Sequence, residues 1–340
     1  MTSDYLIAGR RIRIERAETL SPDGRGLPLR AFGPFAVRPE PAEQPALLLR
    51  PTAEIPAPAQ LRELHRFPFE DADAECSFGR CTGGYLFRMT PRDGRTATFF
   101  KPLAGPEVLS DIAWGGAPDP TLLRFGLWMC LGMAFAPQGI LAIHSSAIRL
   151  GDDAVLFLGE SGTGKSTHTR LWCDHIPGAE LLNDDSPIVR IVQTADADPI
   201  CGAVQNPANA PIAAAETPDA SAATTGAPVK PQAMVFGAPW SGKTPCYRNV
   251  CQPIRAIVRL SQAPHNRIRR LRAIEAIGAL LPSCPPSFAH DETLEDAVCA
   301  TVSAVVAQVP VYHLECRPDA AAAELACRTI FGGESANPRP

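Results

Sequence analysis

The stretch 154–167, AVLFLGESGTGKST, constrains the fold of this 340-residue chain more than any other. Its first five residues are all apolar, which predicts a buried strand. The next eight residues, 159–166, match the pattern G-x-x-x-x-G-K-[ST], and the residues that follow favour a helix. Strand, glycine-rich turn and helix form the setting in which this motif binds phosphate. We therefore expect a nucleotide-binding α/β core.

The residue types of this loop explain the expected chemistry. Glycines allow backbone N–H groups to converge on phosphate oxygens, and the N-terminus of the following helix adds positive potential. We expect the Lys165 ammonium to reach the β- and γ-phosphates of ATP and the Ser166 hydroxyl to ligate Mg²⁺. The motif does not separate ATP from GTP or another donor. The predicted nucleotide-binding residues are Gly159, Glu160, Ser161, Gly162, Thr163, Gly164, Lys165, Ser166 and Thr167.

Composition and charge argue against other partners. Hydrophobic residues make up 45% of the chain, which is ample for a folded core. The net charge of −4 gives no electrostatic footprint for nucleic acid. We interpret the single basic cluster as a solvated face of a strand or loop; it consists of Arg267, Arg269, Arg270 and Arg272.

The cysteines favour reduced thiols rather than a disulfide framework or a zinc site. None of the 11 cysteines falls into a C-x-x-C spacing, and the five-residue offsets of Cys76/Cys81 and Cys246/Cys251 match no common zinc pattern. The sequence also opens without a secretory signal. We expect a cytoplasmic protein with reduced thiols.

One apolar stretch, 126–143, resembles a membrane span at first sight. Pro137 and Gln138 interrupt it, and a spanning helix needs about 20 apolar residues without a break. We predict a buried helix over 121–135 followed by a strand over 139–150, and no membrane association.

Two domains are expected. Residues 1–118 are β-rich in pattern and punctuated by prolines, which predicts a small accessory or substrate-facing domain. Residues 119–335 contain the phosphate loop within an alternation of strands and helices. Inside the second domain, 205–232 is dominated by Ala, Pro, Thr and Ser, so we predict a mobile insertion. The strands predicted for the first domain are 5–7, 12–15, 46–50, 84–89 and 96–101.

The sequence Asp184-Asp185-Ser186 follows the loop helix after one predicted strand. Adjacent strand residues point to opposite faces, so at a strand end one carboxylate can face the γ-phosphate while the other approaches the metal. Phosphoryl transfer uses both functions, a base for the acceptor hydroxyl and a ligand for Mg²⁺. Taken alone, the tripeptide is more often an ordinary turn.

The order of these segments resembles the kinase domain of the HPr kinase/phosphorylase family and the related fold of phosphoenolpyruvate carboxykinase. The matching segments are His144-Ser145-Ser146-Ala147, a hairpin, the loop 159–167, a helix and Asn183-Asp184-Asp185. The resemblance covers about 139–195 well and 309–331 loosely. It implies an α/β P-loop kinase domain of this family with a smaller β-rich domain before it.

By position, the resemblance implies catalytic roles for Asp184, His144 and Lys165 and metal binding by Ser166 and Asp185. Asp184 corresponds to the catalytic aspartate, and Asp185 corresponds to its neighbour near the metal. His144 corresponds to the histidine of the strand before the hairpin. Without the resemblance, His144 is more readily interpreted as a core histidine.

A second loop, 237–243, is similar to one in uncharacterised kinase-like relatives. It either brings Trp240 and Lys243 toward nucleotide or acceptor, or forms an ordinary turn around a packing tryptophan.

The function implied by the resemblance is ATP- and Mg²⁺-dependent phosphoryl transfer to a hydroxyl acceptor, as in serine-type kinases. The acceptor is a serine of a peptide or protein, or a small molecule, and a homo-oligomer is also open. The N-terminal region does not look like that of HPr kinase, and no phosphorylase signature is found, so HPr itself and the reverse reaction are not implied. Two alternatives are a carboxykinase-like enzyme and a nucleotide-binding regulatory protein without turnover.

Overall fold

The computed structural model describes residues 2–15, 29–56, 58–92, 94, 96–113, 119–192 and 231–332. These residues form a mixed α/β fold with two nine-stranded sheets. Both sheets combine parallel with antiparallel pairs. The expected fold class is therefore confirmed at the level of α/β.

The first sheet is built from residues 2–110. Its strands are β1 (Thr2–Ile7), β2 (Arg10–Glu15), β3 (Ala36–Val37), β4 (Leu47–Pro51), β5 (Arg62–Phe69), β6 (Ala74–Cys81), β7 (Gly84–Pro91), β8 (Ala97–Pro102) and β9 (Glu107–Ser110). Their order across the sheet is β3-β1-β2-β4-β9-β8-β7-β6-β5. The five strands predicted from sequence are confirmed as β1, β2, β4, β7 and β8.

The second sheet is built from residues 140–316. Its strands are β10 (Ile140–Ala142), β11 (Ser145–Leu150), β12 (Asp153–Leu158), β13 (Ala179–Asp185), β14 (Ile188–Val192), β15 (Gln232–Phe236), β16 (Cys251–Gln262), β17 (Arg267–Arg270) and β18 (Val311–Cys316). The main order is β10-β14-β15-β16-β12-β11-β13, with β18 beside β16 and β17 beside β18. Since β12, β16 and β18 run parallel, their carboxyl ends meet at one edge, where α/β sheets bind ligands.

The single strand predicted over 139–150 is wrong, because the structure divides it into β10 and β11. β10 pairs with β14, whereas β11 pairs with β12 and β13. Between them, the amide of Ile143 donates to the carbonyl of Pro187 at 3.0 Å, and the amide of His144 donates to the carbonyl of Ser283 at 2.7 Å. These two bonds to distant segments separate the β10–β14 pairing from the pairing of β11 with β12 and β13. His144 therefore lies at a break between strands.

Five α-helices occur within the described ranges: α1 (Pro120–Phe135), α2 (Lys165–His175), α3 (Ala273–Leu280), α4 (Glu292–Val306) and α5 (Ala320–Phe331). The side chains of Asp119, Asp291 and Asp319 accept hydrogen bonds from backbone amides in the first turns of α1, α4 and α5, respectively.

One cluster of buried apolar side chains runs through both halves of the chain. Helix α1 packs on β7 and β8 of the first sheet and on β10 of the second. The ring of Phe99 lies against Gly126 of α1, too close for any side chain at that position. A smaller cluster around Trp172 fills the space between the second sheet and helices α2 and α5. The boundary expected near residue 118 thus separates the sheets along the chain while the core is shared.

The structure also bears on the expectations for a membrane span, the cysteines, the basic cluster and the insertion. No helix in the described ranges is long and apolar enough to cross a membrane. Nine of the described cysteines are free thiols, whereas Cys251 is disulfide-bonded, which departs from the expectation of reduced thiols throughout. The basic cluster lies on and next to the exposed strand β17, where Arg269 pairs with Glu275 at 3.1 Å. The mobile insertion predicted at 205–232 lies outside the described residues as far as 230, and β15 begins at Gln232.

Candidate functional site

The phosphate loop lies between β12, which ends at Leu158, and α2, which begins at Lys165. Two glycines turn its backbone through positive φ angles, 81° at Gly162 and 105° at Gly164. Residues with a Cβ rarely adopt such angles, which explains the glycines at these positions. A Cβ at either glycine would meet no atom within 4 Å, so open space lies over the turn. The loop is a shallow cradle lined by backbone.

The Lys165 side chain folds back over this cradle. Its ammonium donates to the carbonyl of Gly159 at 2.6 Å and approaches the carbonyl of Glu160 at 3.4 Å. Burial lowers the pKa of Lys165, and the carboxylates of Asp185 and Asp184 oppose that shift. The positive charge is therefore held at the centre of the loop.

The other predicted loop residues are more exposed than Lys165. Glu160 and Ser161 are exposed at the tip, and the Thr163 hydroxyl donates to the carbonyl of Glu160 at 2.8 Å. Ser166 lies in the first turn of α2, and Thr167 lies partly exposed behind it. All nine predicted nucleotide-binding residues are thus contiguous around one turn.

Asp184 lies at the end of β13 and is only 3% exposed. Its Oδ1 accepts hydrogen bonds from the hydroxyls of Ser146 at 2.6 Å and Ser166 at 3.3 Å. Its Oδ2 accepts from the Thr244 amide at 3.1 Å and lies 3.4 Å from the Ser166 hydroxyl. This carboxylate is therefore fixed beside the loop serine.

The Asp185 side chain lies beside His144, and its charge also acts on Lys165 of the phosphate loop. The His144 Nε2 and the Asp185 Oδ1 are 3.4 Å apart, and the two side chains are 46% and 42% exposed. Burial raises the pKa of Asp185, which His144 opposes, and burial lowers the pKa of His144, with Lys165 adding to that effect. The two neighbouring carboxylates thus occupy different surroundings.

A loop spanning 237–246 packs against the aspartate pair and forms hydrogen bonds with Asn183 and Asp184. The Asn183 side-chain amide donates to three of its carbonyl oxygens, and the Gly242 amide donates to the carbonyl of Asp184 at 2.5 Å. Asp185 forms an isolated β-bridge to Ser241 and has an unusual φ of 114°. Non-glycine residues hold such angles only where the surroundings fix them.

Within this loop, Trp240 is buried. Its ring packs edge-on against Phe32 at 5.5 Å, and its N–H donates to the carbonyl of Arg124 at 2.9 Å. Lys243 is exposed to solvent. The contacts of Trp240 are therefore those of a packing residue, as in the second interpretation of this loop.

Two cavities flank the phosphate loop. The first, which we call the α2 groove, has about 610 Å³ and runs from Gly164 along Thr167 and Leu171 to Arg317 and Pro318, past the carboxyl end of β18. The second, of about 690 Å³, lies toward β17 and has a more charged lining. That lining includes Arg259, Arg269, Glu275 and His313.

A third cavity, of about 370 Å³, opens where Asp185 and His144 meet the N-terminal sheet. We call it the aromatic cavity. Its walls come from the end of β5, from α1, from the 237–246 loop and from a proline-rich turn before α4. The lining residues that the sequence analysis did not single out include Phe69, Asp71, Arg124, Phe125 and Trp128. No local motif marks them, because they converge from segments far apart in the chain.

The donor set beside the phosphate loop fits Mg²⁺. Ser166 and Asp184 offer hard oxygen ligands within 3.4 Å of each other, next to the space that phosphates would fill. No group of three or more His, Cys, Asp or Glu side chains suited to a metal occurs in the part of the chain that the structure describes. A magnesium ion bound with a nucleotide needs only one or two protein oxygens besides phosphates and water.

No protein-family model matches the sequence, and no curated protein matches it.

Proposed function

We propose that this protein is an ATP- and Mg²⁺-dependent kinase that transfers the γ-phosphoryl group to a hydroxyl acceptor. The observation that carries the proposal is the division of the carboxylates. Asp184 lies beside the loop serine, whereas Asp185 opens into a separate cavity. Phosphoryl transfer uses two such functions, a group that would help to hold the metal and a group that positions or deprotonates the acceptor.

The nucleotide is placed by the phosphate loop and the α2 groove. Phosphate oxygens replace the loop carbonyls as partners of the Lys165 ammonium and accept hydrogen bonds from the backbone amides at the start of α2. The nucleoside then follows the α2 groove, whose walls include Leu171, Leu260 and Pro318. Apolar walls suit a base better than the charged lining toward β17.

Magnesium is held by Ser166 and Asp184 in this proposal, which exchanges the aspartate roles expected from the resemblance. Asp184 is already in contact with the Ser166 hydroxyl, whereas Asp185 is paired with His144. The bound ion neutralises charge on the β- and γ-phosphate oxygens. Ser146 and the Thr244 amide keep the Asp184 carboxylate turned toward this position.

Asp185 then receives the proton of the acceptor hydroxyl. Burial raises the pKa of this carboxylate, which makes it a better proton acceptor than an ordinary surface aspartate. His144 lies 3.4 Å away and orients the carboxylate, and its own backbone is fixed by the bond to Ser283. The remaining acceleration comes from positioning and from the charge of Lys165.

The antiparallel pairing of β11 with β12 supports a family assignment as part of this proposal. Most P-loop proteins enter the loop from a parallel βαβ unit, whereas this chain enters it from a hairpin. A hairpin before the loop and a strand ending in two aspartates after it support an HPr kinase-like phosphotransferase.

The experiment is transfer from ATP labelled on the γ-phosphate, with Mg²⁺ and a panel of serine peptides and small hydroxyl compounds. Label on an acceptor supports the proposal. Tight ATP binding with no transfer to any acceptor, and no difference between wild type and Asp185→Asn in residual hydrolysis, would favour a nucleotide-binding regulator instead.

A further inference from the structure

One wall of the aromatic cavity consists of stacked aromatic rings, and these rings have no role in the phosphate loop. The ring of Phe125 lies between those of Phe69 and Trp128, at centroid distances of 4.3 and 5.8 Å and interplanar angles of 20° and 15°. The Trp128 N–H donates to the Ser186 hydroxyl at 2.8 Å, which fixes the far end of the wall. All three rings are partly buried and line the cavity. The wall is a rigid flat surface suited to stacking.

A cation lies in the same cavity. Arg124 projects from α1 and donates from one guanidinium nitrogen to the carbonyl of Ser241 at 2.6 Å. A guanidinium carries five N–H donors in a planar fork, so donors remain for a carboxylate at the cavity. The ring N–H of Trp240 bonds the backbone of Arg124 and holds this residue in place.

The acidic end of the cavity is defined by Asp185 with His144. The Arg124 guanidinium attracts a negatively charged group of a ligand, whereas Asp185 and Asp71, which also lines the cavity, repel it. A volume of about 370 Å³ holds a small molecule and lies in the range of ordinary ligand sites.

We propose that the aromatic cavity is the acceptor subsite and takes a small aromatic compound that bears both a hydroxyl group and a carboxylate. The ring packs against the wall formed by Phe69, Phe125 and Trp128, the carboxylate binds Arg124, and the hydroxyl meets Asp185. This inference rests on the proposed kinase function. In the transfer step the hydroxyl oxygen forms a bond to the γ-phosphorus while the bond to the β–γ bridging oxygen breaks. The hydroxyl proton passes to Asp185, and the products are a phosphate ester and ADP.

The test measures binding without nucleotide, so that it does not depend on transfer. The probe is 4-hydroxyphenylacetate, and the neutral control is N-acetyl-tyrosinamide, which has the same phenol and no carboxylate. Both are titrated while tryptophan fluorescence and ligand-observed NMR are recorded, and Trp128→Phe identifies the reporting tryptophan. We expect saturable binding of the probe and at least tenfold weaker binding of the neutral control.

Matched variants locate the site. Arg124→Gln is expected to weaken the probe at least tenfold and to leave the control unchanged, whereas Arg170→Gln, on the exposed face of α2, should change neither. Phe69→Ala removes one ring of the wall away from the aspartate pair and should weaken both compounds. Circular dichroism of each variant verifies its fold.

The inference is overturned if the probe does not bind saturably, if the neutral control binds equally well, or if Arg124→Gln and Arg170→Gln behave alike. Calorimetry with ATP and Mg²⁺ is run on the same preparations. Intact ATP binding with no probe binding refutes the subsite alone. Probe binding without ATP binding refutes the kinase proposal and leaves a binding site for aromatic acids.

Discussion

Replacing Gly126 by alanine should destabilise the protein, although the same change stabilises most helices. Gly126 lies within α1, and a Cβ added there would overlap three atoms of the Phe99 ring. Phe99 belongs to β8 and is fully buried, so the ring has no free space to move into. The substitution therefore tests whether the N-terminal sheet and the phosphate-loop half share one core.

The expected size follows from two opposing effects. Overpacking of a filled core costs about 1–3 kcal/mol, and overlap with three ring atoms places Gly126→Ala in the upper half of that range. Alanine gains about 1 kcal/mol over glycine in a helix interior. We expect a net loss of about 1–2 kcal/mol in the free energy of unfolding.

The matched control is Gly278→Ala in α3, where an added Cβ meets no atom within 4 Å. This variant should gain about 0.5–1 kcal/mol, since only helix propensity acts there. Both are measured by urea unfolding followed by tryptophan fluorescence and circular dichroism. If Gly126→Ala gains stability as Gly278→Ala does, α1 does not press on β8 and the shared core is refuted.

Three further predictions concern the loop, the aspartates and a buried histidine. Lys165→Ala should lose most affinity for ATP in calorimetry, because it removes the only ammonium at the loop carbonyls among the described residues, and unchanged affinity would contradict the phosphate-loop assignment. Asp185→Asn should reduce transfer about 10²-fold or more at an unchanged Mg²⁺ requirement, whereas Asp184→Asn should raise that requirement; the opposite pattern would favour the roles implied by the resemblance. Burial lowers the pKa of His168 from 6.5 to about 4. Between these two pH values the unfolded chain binds more protons than the folded protein, so the free energy of unfolding falls on acidification. We expect on the order of 2 kcal/mol lost between pH 7 and pH 5, and an equal loss in His168→Gln by urea unfolding would exclude His168 as the cause.

The phosphate loop was predictable because its requirements are local. A buried strand, two glycines with positive φ and a helix start are all encoded within 14 residues, and the structure places each of them at its expected position. The contact between Asp184 and Ser166 was predictable in part. The order of strand, loop, helix and strand brings β13 beside β11, which in turn neighbours β12.

The break at His144 was not predictable from the pattern of residues 139–150. Those residues are apolar enough for one continuous strand, and the break comes from hydrogen bonds to Pro187 and Ser283, which lie far along the chain. Strands β5 and β6 were missed for a different reason. β5 mixes charged residues with a proline, and β6 contains two cysteines and a glycine, so neither shows an uninterrupted apolar run. The pairing of β6 with β7, and of β5 with β6, supplies what the sequence pattern lacks.

The aromatic cavity illustrates why an acceptor site is harder to find in sequence than a phosphate site. Phosphate is bound by backbone amides of one turn, so a short motif contains the whole site. In the proposed acceptor site, a flat aromatic ligand needs walls on several sides, and these come from Phe69, Phe125 and the turn near Ser283.

The strained backbone at Asp185 links the two kinds of site. Along a regular strand, neighbouring carboxylates point to opposite faces, but that geometry alone does not aim either of them at a particular cavity. The φ of 114° at Asp185, the bridge to Ser241 and the bond from the Gly242 amide to Asp184 mark the end of the strand at Asp185. As a result one carboxylate stays buried against the phosphate loop and the other opens toward His144 and the aromatic wall. A strand end of this kind keeps a metal ligand and a proton acceptor next to each other in sequence and separate in environment. In our proposal, strain at this position is retained because it aligns the acceptor hydroxyl with the phosphate held on the other side.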